Sequence, residues 1–307
     1  MISWLLLTAI YIVMISIIIC SVSRNELLTV SENIRKTIGV PHEIIAFDNN
    51  QLQKGICEIY NMGARQAKYD VLCFMHEDIE MQTVGWGEKL VELFKNNPAF
   101  ALLGIAGGGY KSLAPSSWYN YHLQENGGFY CNLIQGYKHT GRNDSLDYQN
   151  PRNELLSRVA CVDGCWFSVR KSAALKYPFD EKLLKGFHGY DIDFSIAINQ
   201  EFQVAVTFEI LLRHFSEGNF NRKWMDEICK VHKKWGAVLP LNIDKIPESH
   251  LKRIERHAYE VFLQEQIDND RYSKWYLIKL IWSTRRSRIA TFSFPYKLMI
   301  RLLKMNK

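Results

Sequence analysis

The segment DVLCFMHEDIEM, residues 70–81, joins an apolar run to a cluster of polar side chains. His76, Glu77 and Asp78 follow the run directly. Hard divalent cations take oxygen ligands, and an imidazole suits Mn²⁺ better than Ca²⁺. The segment therefore predicts a site for Mn²⁺ or Mg²⁺, with a nucleoside diphosphate filling the remaining coordination positions. A solvated acidic loop is the alternative, because isolated short motifs often occur by chance.

Three later segments carry further candidate groups. Asp163 and Gly164 form a turn between strand-like residues, where the backbone can approach a ligand closely. Asp191 and Asp193 begin a helix, and acids there either complement the helix dipole or supply a catalytic base and a structural partner. His214 ends another strand-like run and is either a structural histidine or a third metal ligand.

The elements that must position these groups alternate between strand and helix. We predict strands over residues 43–47, 70–75 and 100–106, and helices over residues 26–38, 55–68 and 83–96. This alternation predicts an α/β fold with a mainly parallel central sheet and helices on both faces. Ligands of such sheets bind outside the carboxyl ends of the strands. Asp48, His76, Glu77 and Asp78 all fall at predicted strand ends.

The first 20 residues carry no charge, and by length alone they could cross a membrane. Residues 14–25 instead read as a buried Ile-rich strand that leads into a polar loop. We favour the strand, because a membrane-spanning helix here would remove the first strand of the domain. Residues 1–13 are then a short hydrophobic extension or anchor.

Composition limits the class of protein. Seven scattered cysteines in 307 residues predict a reducing, cytoplasmic compartment. The net charge of +6 comes largely from the last thirty or so residues, which favours contact with an anionic surface over nucleic-acid binding.

Six segments in order resemble a family 2-type glycosyltransferase of the GT-A (Rossmann-like) fold, in the branch that includes a streptomycin-biosynthesis protein. The segments are ISIIICSVSRN, FDNN, NMGARQAKYDVLCFMHEDIEM, VDGCWFSVRK, FHGYDIDFS and RHFSEGNFNRKW, which lie within residues 15–235. The resemblance implies a nucleotide-sugar donor, a divalent metal, a glycan or other hydroxyl acceptor, and a role in polysaccharide biosynthesis.

The resemblance also implies roles for residues on the donor side. Asp48 matches the acid that reads the nucleotide base, usually uracil. Glu77 matches a position near the ribose or the metal. The positions implied to contact the nucleotide sugar are Asp48, Asn61, Gly63, Glu77, Asp163 and Gly164.

On the reaction side the resemblance implies metal ligation by Asp78, His76 and His214, and a general base at Asp191. Two positions depart from the family pattern. His76 replaces an acid of the usual Asp-x-Asp motif, which puts the preferred metal in question, and Tyr190 replaces the usual Glu, which puts the acceptor geometry in question.

A single carboxylate base with in-line attack inverts the anomeric carbon, so we predict an inverting transferase. Helical spacing turns Asp193 away from Asp191, which disfavours a double displacement. A nucleotidyltransferase is one alternative, although CSVSRN supplies only Arg24 and no glycine after the first strand. The other alternative is an inactive sugar-nucleotide or glycan-binding module.

The C-terminal part is a separate question. Residues 250–266 look helical, and residues 274–304 combine Trp, Tyr, Leu and Ile with Arg and Lys. Such a segment either lies on an anionic membrane or packs on the catalytic domain. The first case would suit a lipid-linked acceptor. We therefore predict an extension over residues 1–13, a catalytic domain over 14–240 and a basic helical extension over 241–307.

Overall fold

The computed structural model describes residues 14–137, 142–216, 218, 221–268, 273–283 and 293–304, so the predicted extension over residues 1–13 lies outside it. The strands are β1 (Ile15–Ser21), β2 (His42–Asp48), β3 (Val71–Met75), β4 (Ile79–Met81), β5 (Phe100–Gly104), β6 (Ala106–Gly108), β7 (Tyr110–Lys111), β8 (Phe129–Gln135), β9 (Ser145–Gln149), β10 (Leu156–Arg158), β11 (Cys161–Val162), β12 (Trp166–Arg170), β13 (Gln203–Thr207), β14 (Leu212–His214) and β15 (Leu241–Asn242). The helices are α1 (Arg24–Thr37), α2 (Asn49–Leu52), α3 (Ile56–Gln66), α4 (Trp86–Asn96), α5 (Tyr121–Glu125), α6 (Lys171–Lys176), α7 (Tyr190–Ile198), α8 (Arg222–Trp235), α9 (Glu248–Asp268), α10 (Lys274–Ser283) and α11 (Phe294–Lys304).

The central sheet has the strand order β10-β13-β5-β12-β3-β1-β2. Strands β2, β1 and β3 are parallel, as the alternation of strands and helices predicts. Strand β12 enters between β3 and β5 and is antiparallel to both. The α/β prediction is confirmed, and the antiparallel β12 matters for function because it returns the loop before it to the carboxyl end of β3.

The apolar run at the start of the domain is a strand buried on both faces. Ile15, Ile17 and Ile19 belong to one hydrophobic cluster and Ile18 to the other, and all four are fully buried. Complete burial of such a side chain stabilises the fold by about 1.5–3 kcal/mol. Helix α3 packs closely on this strand at Gly63, where a Cβ atom would overlap the Ile18 side chain.

A smaller sheet with the path β11-β6-β8-β14-β4 lies beside the central sheet, and β9 pairs with β8. In it β14 pairs antiparallel with β4, so that His214 lies opposite Ile79. This pairing joins residues more than 130 positions apart and brings the end of β14 to the polar turn after β3.

The C-terminal helices pack on the rest of the protein and on each other. Met225 of α8 shares a hydrophobic cluster with Phe262, Leu277 and Leu302. On α9, buried Glu255 accepts hydrogen bonds from the Tyr110 hydroxyl and the Leu113 amide. The predicted helix over residues 250–266 is confirmed as part of α9, whereas Arg285, Arg286, Arg288 and Lys307 lie outside the described residues. Each helix in the described ranges is too short or too polar to cross a membrane.

Candidate active site

Three side chains predicted to bind metal meet at one point. One ligand atom each from His76, Asp78 and His214 lies within 4.8 Å of the other two. The Asp78 Oδ1 atom is 3.9 Å from His76 Nδ1 and 3.6 Å from His214 Nε2. Because metal–nitrogen and metal–oxygen bonds are about 2.0–2.2 Å long, one small divalent ion can contact all three atoms. The donor set of two imidazoles and one carboxylate therefore fits the implied metal.

Backbone pairing holds this cluster together. The His76 amide donates to the Cys165 carbonyl (2.9 Å), which anchors the end of β3 to the loop before β12. The Phe215 amide donates to the Asp78 carbonyl (3.0 Å), which extends the pairing of β14 with β4 by one step. His214 thus reaches Asp78 through sheet register rather than through proximity in sequence.

The Tyr190 hydroxyl fixes the tautomer of His76. It donates to the Gly164 carbonyl (3.0 Å), which can only accept, and lies 2.9 Å from His76 Nε2. Since its single proton is used, the hydroxyl must accept from Nε2–H. His76 Nδ1 therefore carries the lone pair and faces Asp78, as metal ligation requires.

The charges of the cluster favour an ionised Asp78. Burial opposes its charged form, but interactions with the His214 and His76 side chains outweigh burial and lower the pKa of Asp78. Burial and the charge of His214 lower the pKa of His76. An anionic oxygen beside a neutral imidazole is the state that binds a cation.

Asp191 occupies the wall of the same cleft. Gly189 adopts a left-handed conformation with φ of 74° immediately before α7, and it thereby sets the direction in which Tyr190 and Asp191 leave the loop. Burial and the charge of Asp163 raise the pKa of Asp191 to about 7. A carboxylate with that pKa can accept a proton near neutral pH.

Asp163 and Gly164 lie between Asp191 and the metal cluster. The Asp163 carboxylate accepts from Trp118 Nε1 (3.0 Å) and from the Cys165 amide (2.8 Å), so each oxygen has a donor. A Cβ atom on Gly164 would collide with the Tyr190 hydroxyl, which explains the glycine. The cleft has a volume of about 630 Å³, and His76, His214, Asp163, Gly164 and Asp191 are among its lining residues.

Five predicted site residues are not among the described residues that line this cleft. One is Asp78, although its neighbours His76 and His214 do line it. Asp48 is exposed at the end of β2, where its carboxylate accepts from the Asn50 amide. Glu77 points away from the metal cluster and accepts from the Ser21 hydroxyl and from the backbone at residues 22 and 23. Asn61 is buried on α3, where it bonds to the backbone of Phe179, and Gly63 of the same helix faces Ile18.

Asp193 is turned away from Asp191, as its helical spacing predicts. Its buried carboxylate accepts from Lys234 Nζ (2.9 Å) and Trp235 Nε1 (2.7 Å) on α8. The second carboxylate near Asp191 is instead Asp163, whose charge acts on it. The sequence analysis considered only Asp193 for this role.

Part of the cleft wall is aromatic, and sequence reasoning did not assign its residues. The rings of Trp118 and Phe129 stack with centroids 5.7 Å apart, and Tyr119 meets Phe129 edge-on at 5.3 Å. All three side chains line the cleft. The sequence signal is a concentration of aromatic residues between positions 110 and 148, but nothing in it selects these three.

Comparison with known proteins agrees with this architecture. The model of a glycosyltransferase-like family matches residues 15–234, more than half of the chain. Among solved structures, the protein is similar to GalNAc-T7 with UDP, GalNAc and Mn²⁺, with a TM-score of 0.50 and 11% identity over 91% of this chain. It spans only 58% of the GalNAc-T7 chain, so this likeness bears on the fold alone.

Two further comparisons add little. The protein A197 from STIV gives a TM-score of 0.35 with 14% identity, covering 67% of this chain and 86% of that one, which is too low to carry an argument. No curated protein gives a significant match. The family match shows that the chain belongs to this glycosyltransferase-like family, and the structural likeness shows that it has the GT-A fold.

Proposed function

We propose that the protein transfers a sugar from a nucleoside diphosphate, preferably UDP, to an acceptor hydroxyl, with inversion and with dependence on Mn²⁺ or Mg²⁺. One observation carries the proposal. His76 and His214, which lie with Asp78 in a metal-competent set, line the same cleft as Asp191, whose pKa is raised to about 7. The neighbour GalNAc-T7, whose structure contains UDP and Mn²⁺, supports the same donor class.

The donor diphosphate is expected at the three metal-competent side chains. A divalent ion bound by His76, Asp78 and His214 supplies a Lewis acid that stabilises charge on the departing diphosphate. We assign base recognition to Asp48, which is exposed at the end of the neighbouring strand β2. Glu77 supports the donor site indirectly, since its carboxylate holds the loop between β1 and α1. Gly63 supports it by letting α3 pack closely on β1, and Asn61 by its hydrogen bonds to the backbone of Phe179.

Asp191 is the proposed general base. It takes the proton of the acceptor hydroxyl while that oxygen bonds to the anomeric carbon and the nucleoside diphosphate leaves. Asp163 and Gly164 lie between donor and acceptor. The hydrogen bonds at both oxygens of Asp163 disfavour it as a nucleophile, and Asp193 is engaged by α8. Single displacement with inversion follows from one available base.

The acceptor is proposed to be a glycan or a lipid-linked molecule at the cytoplasmic face of a membrane. The support is the outer surface of the C-terminal helices, where the side chains of Trp275 and Tyr276 are 75% and 48% exposed. Exposed aromatic residues beside lysines suit the interface of an anionic membrane.

A screen of nucleotide sugars tests the reaction class. Wild-type protein should bind UDP more tightly with Mn²⁺ than without it and should hydrolyse at least one donor slowly. Asp78→Ala should lose both properties. Asp70→Ala is the matched control, because Asp70 is an exposed acid at the other end of the same strand. Binding of UDP that is equal with and without metal in the wild type would contradict the proposal.

A further inference from the structure

An apolar groove lies next to the catalytic cleft, between the loop after β7 and the helices α8 and α9. Its volume is about 260 Å³. The apolar residues among its lining are Pro115, Tyr121, Trp224, Met225, Ala258 and Val261. None of the roles assigned above uses this groove.

The groove adjoins the catalytic cleft. Ser117, Tyr119 and Trp224 line both cavities. A molecule whose hydroxyl lies at Asp191 can therefore extend past Tyr119 and Trp224 into the groove without leaving the protein surface.

The polar residues of the groove offer few hydrogen bonds to a ligand. The Ser116 hydroxyl donates to the Ala114 carbonyl and accepts from Lys111 Nζ. The Asn120 side chain accepts from the His122 amide and donates to the Ile254 carbonyl. The groove is also lined by Glu265 and by His257, whose buried Nδ1 atom lacks a hydrogen-bond partner among the described residues. A sugar would gain few partners here in return for the hydration it loses, whereas a hydrocarbon chain loses nothing by burial.

The outer helices give such a chain a route from a membrane. Helix α9, which lines the groove, packs through Phe262 and Leu263 against α10 and α11. Those two helices expose Trp275, Ile300 and Leu303, at 75%, 53% and 65% of their full area. Exposed aromatic and aliphatic side chains of this kind bury themselves in the interfacial region of a bilayer.

We propose that this groove binds the hydrocarbon chain of a lipid-linked acceptor while the acceptor hydroxyl lies at Asp191. The proposal rests on the transferase function above and specifies its acceptor as a molecule with a polar, hydroxyl-bearing head and an apolar tail. The aromatic wall of Trp118, Tyr119 and Phe129 then faces the head group, and the residues of the groove face the tail.

Displacement of an apolar fluorophore tests the groove without catalysis. N-phenyl-1-naphthylamine should bind wild-type protein and be displaced by n-alkyl β-D-glucosides, used below their critical micelle concentrations. Affinity should rise roughly two- to fourfold for each methylene added between hexyl and decyl glucoside, because each buried methylene contributes a similar increment. Affinity that is independent of chain length would overturn the proposal.

Variants locate the binding. Val261→Asp should lower the affinity for decyl glucoside at least tenfold, and Tyr121→Glu on the opposite wall should do the same, because each places a charge against the chain. Both residues are exposed, at 44% and 52%, so neither change removes a core side chain. Val84→Asp is the matched control, since Val84 is 76% exposed and is not among the residues that line the groove.

The same variants separate the groove from the reaction. Val261→Asp should keep Mn²⁺-dependent UDP binding and donor hydrolysis, because neither uses the groove. Binding of decyl glucoside that requires Val261, in a protein that hydrolyses no nucleotide sugar, would support the groove and contradict the transferase reaction. Equal binding by wild type, Val261→Asp and Tyr121→Glu would overturn the groove alone.

Discussion

Two clusters of histidine and charged side chains differ in how completely their polar atoms are used within the protein. In the catalytic cleft, Asp78 Oδ1 lies 3.9 Å from His76 Nδ1 and 3.6 Å from His214 Nε2, too far for normal hydrogen bonds, and His214 Nε2 lies 3.1 Å from the Ser216 hydroxyl. Around β7, the fully buried Lys111 donates to the Ser116 carbonyl and hydroxyl and to His232 Nε2, at 2.8–2.9 Å.

In the cluster around Lys111 and His232, both nitrogens of the imidazole have hydrogen-bond partners, and these contacts fix its protonation. His232 Nδ1–H donates to the Leu113 carbonyl, so Nε2 is the acceptor for Lys111. Burial and the charge of Lys111 lower the pKa of His232 to about 2, and burial lowers the pKa of Lys111 to about 8. Residue types alone do not separate structural from functional histidines, whereas the spacing of one carboxylate and two imidazoles around a single point does.

The largest expected effect is that of Asp191→Asn, which removes the proposed base but preserves its shape. We expect transfer to fall about 10²–10⁴-fold, because general-base assistance is typically worth that much. Binding of UDP and Mn²⁺ should stay unchanged. Steady-state kinetics and calorimetry measure the two quantities, and full transfer by Asp191→Asn would remove Asp191 from the mechanism.

Tyr190→Phe should lower Mn²⁺ affinity by about 10–100-fold, the usual cost of losing a hydrogen bond to a metal-ligating histidine. The hydroxyl that fixes the tautomer of His76 is absent in this variant, while the ring remains. Tyr110→Phe is the matched control, since the hydroxyl of buried Tyr110 donates to Glu255 rather than to a metal-ligating histidine. Calorimetric titration with Mn²⁺ that gives equal affinities for the two variants would exclude the tautomer argument.

Transfer should also depend on pH through Asp191. Its pKa is raised to about 7 by burial and by Asp163, so the base is protonated and inactive below that pH. With Mn²⁺ and donor saturating, kcat/KM for the acceptor should fall about tenfold for each pH unit below 7 and level off above it. The residual activity of Asp191→Asn should lack this limb, and a limb of the same shape in that variant would point to another group.

The smallest expected effect is on the free energy of unfolding. Here we expect replacement of His232 to cost more than replacement of His214, which is the opposite of their expected order for metal binding. His232→Ala removes one of the acceptors of buried Lys111 and the donor to the Leu113 carbonyl, so the free energy of unfolding should fall by about 1–3 kcal/mol. His214→Ala in metal-free protein should change it by less than about 1 kcal/mol. Urea unfolding of both variants measures the difference, and equal losses would mean that both clusters are structural.

Much of the fold follows from local pattern. The periodicity over residues 26–38 and 83–96 predicts α1 and α4 with small errors at their ends, and the Ile-rich run predicts β1. The direction of β12 was not predictable, because an apolar strand carries no mark of parallel or antiparallel pairing. Because β12 is antiparallel to β3, the loop before it places the Gly164 carbonyl within hydrogen-bond distance of the Tyr190 hydroxyl.

The site was predictable only in part, because the sequence shows residue types but not side-chain directions or long-range strand pairing. The run His76-Glu77-Asp78 shows three polar residues, but the backbone turns the Glu77 carboxylate to the loop after β1. Asn61 and Gly63 match a family motif, and their visible contacts are to Phe179 and Ile18 in the core. The proximity of His214 to Asp78 depends on long-range pairing of β14 with β4, and only the ordered resemblance to a family indicated it.

The most direct test of this account is Mn²⁺ binding to two histidine variants, His214→Ala and His232→Ala, by electron paramagnetic resonance on samples whose folding is checked by circular dichroism. We predict one tight Mn²⁺ per wild-type chain, an affinity at least tenfold lower for His214→Ala, and an unchanged affinity for folded His232→Ala. Equal Mn²⁺ affinity in wild type and His214→Ala would contradict a metal site at the end of β3.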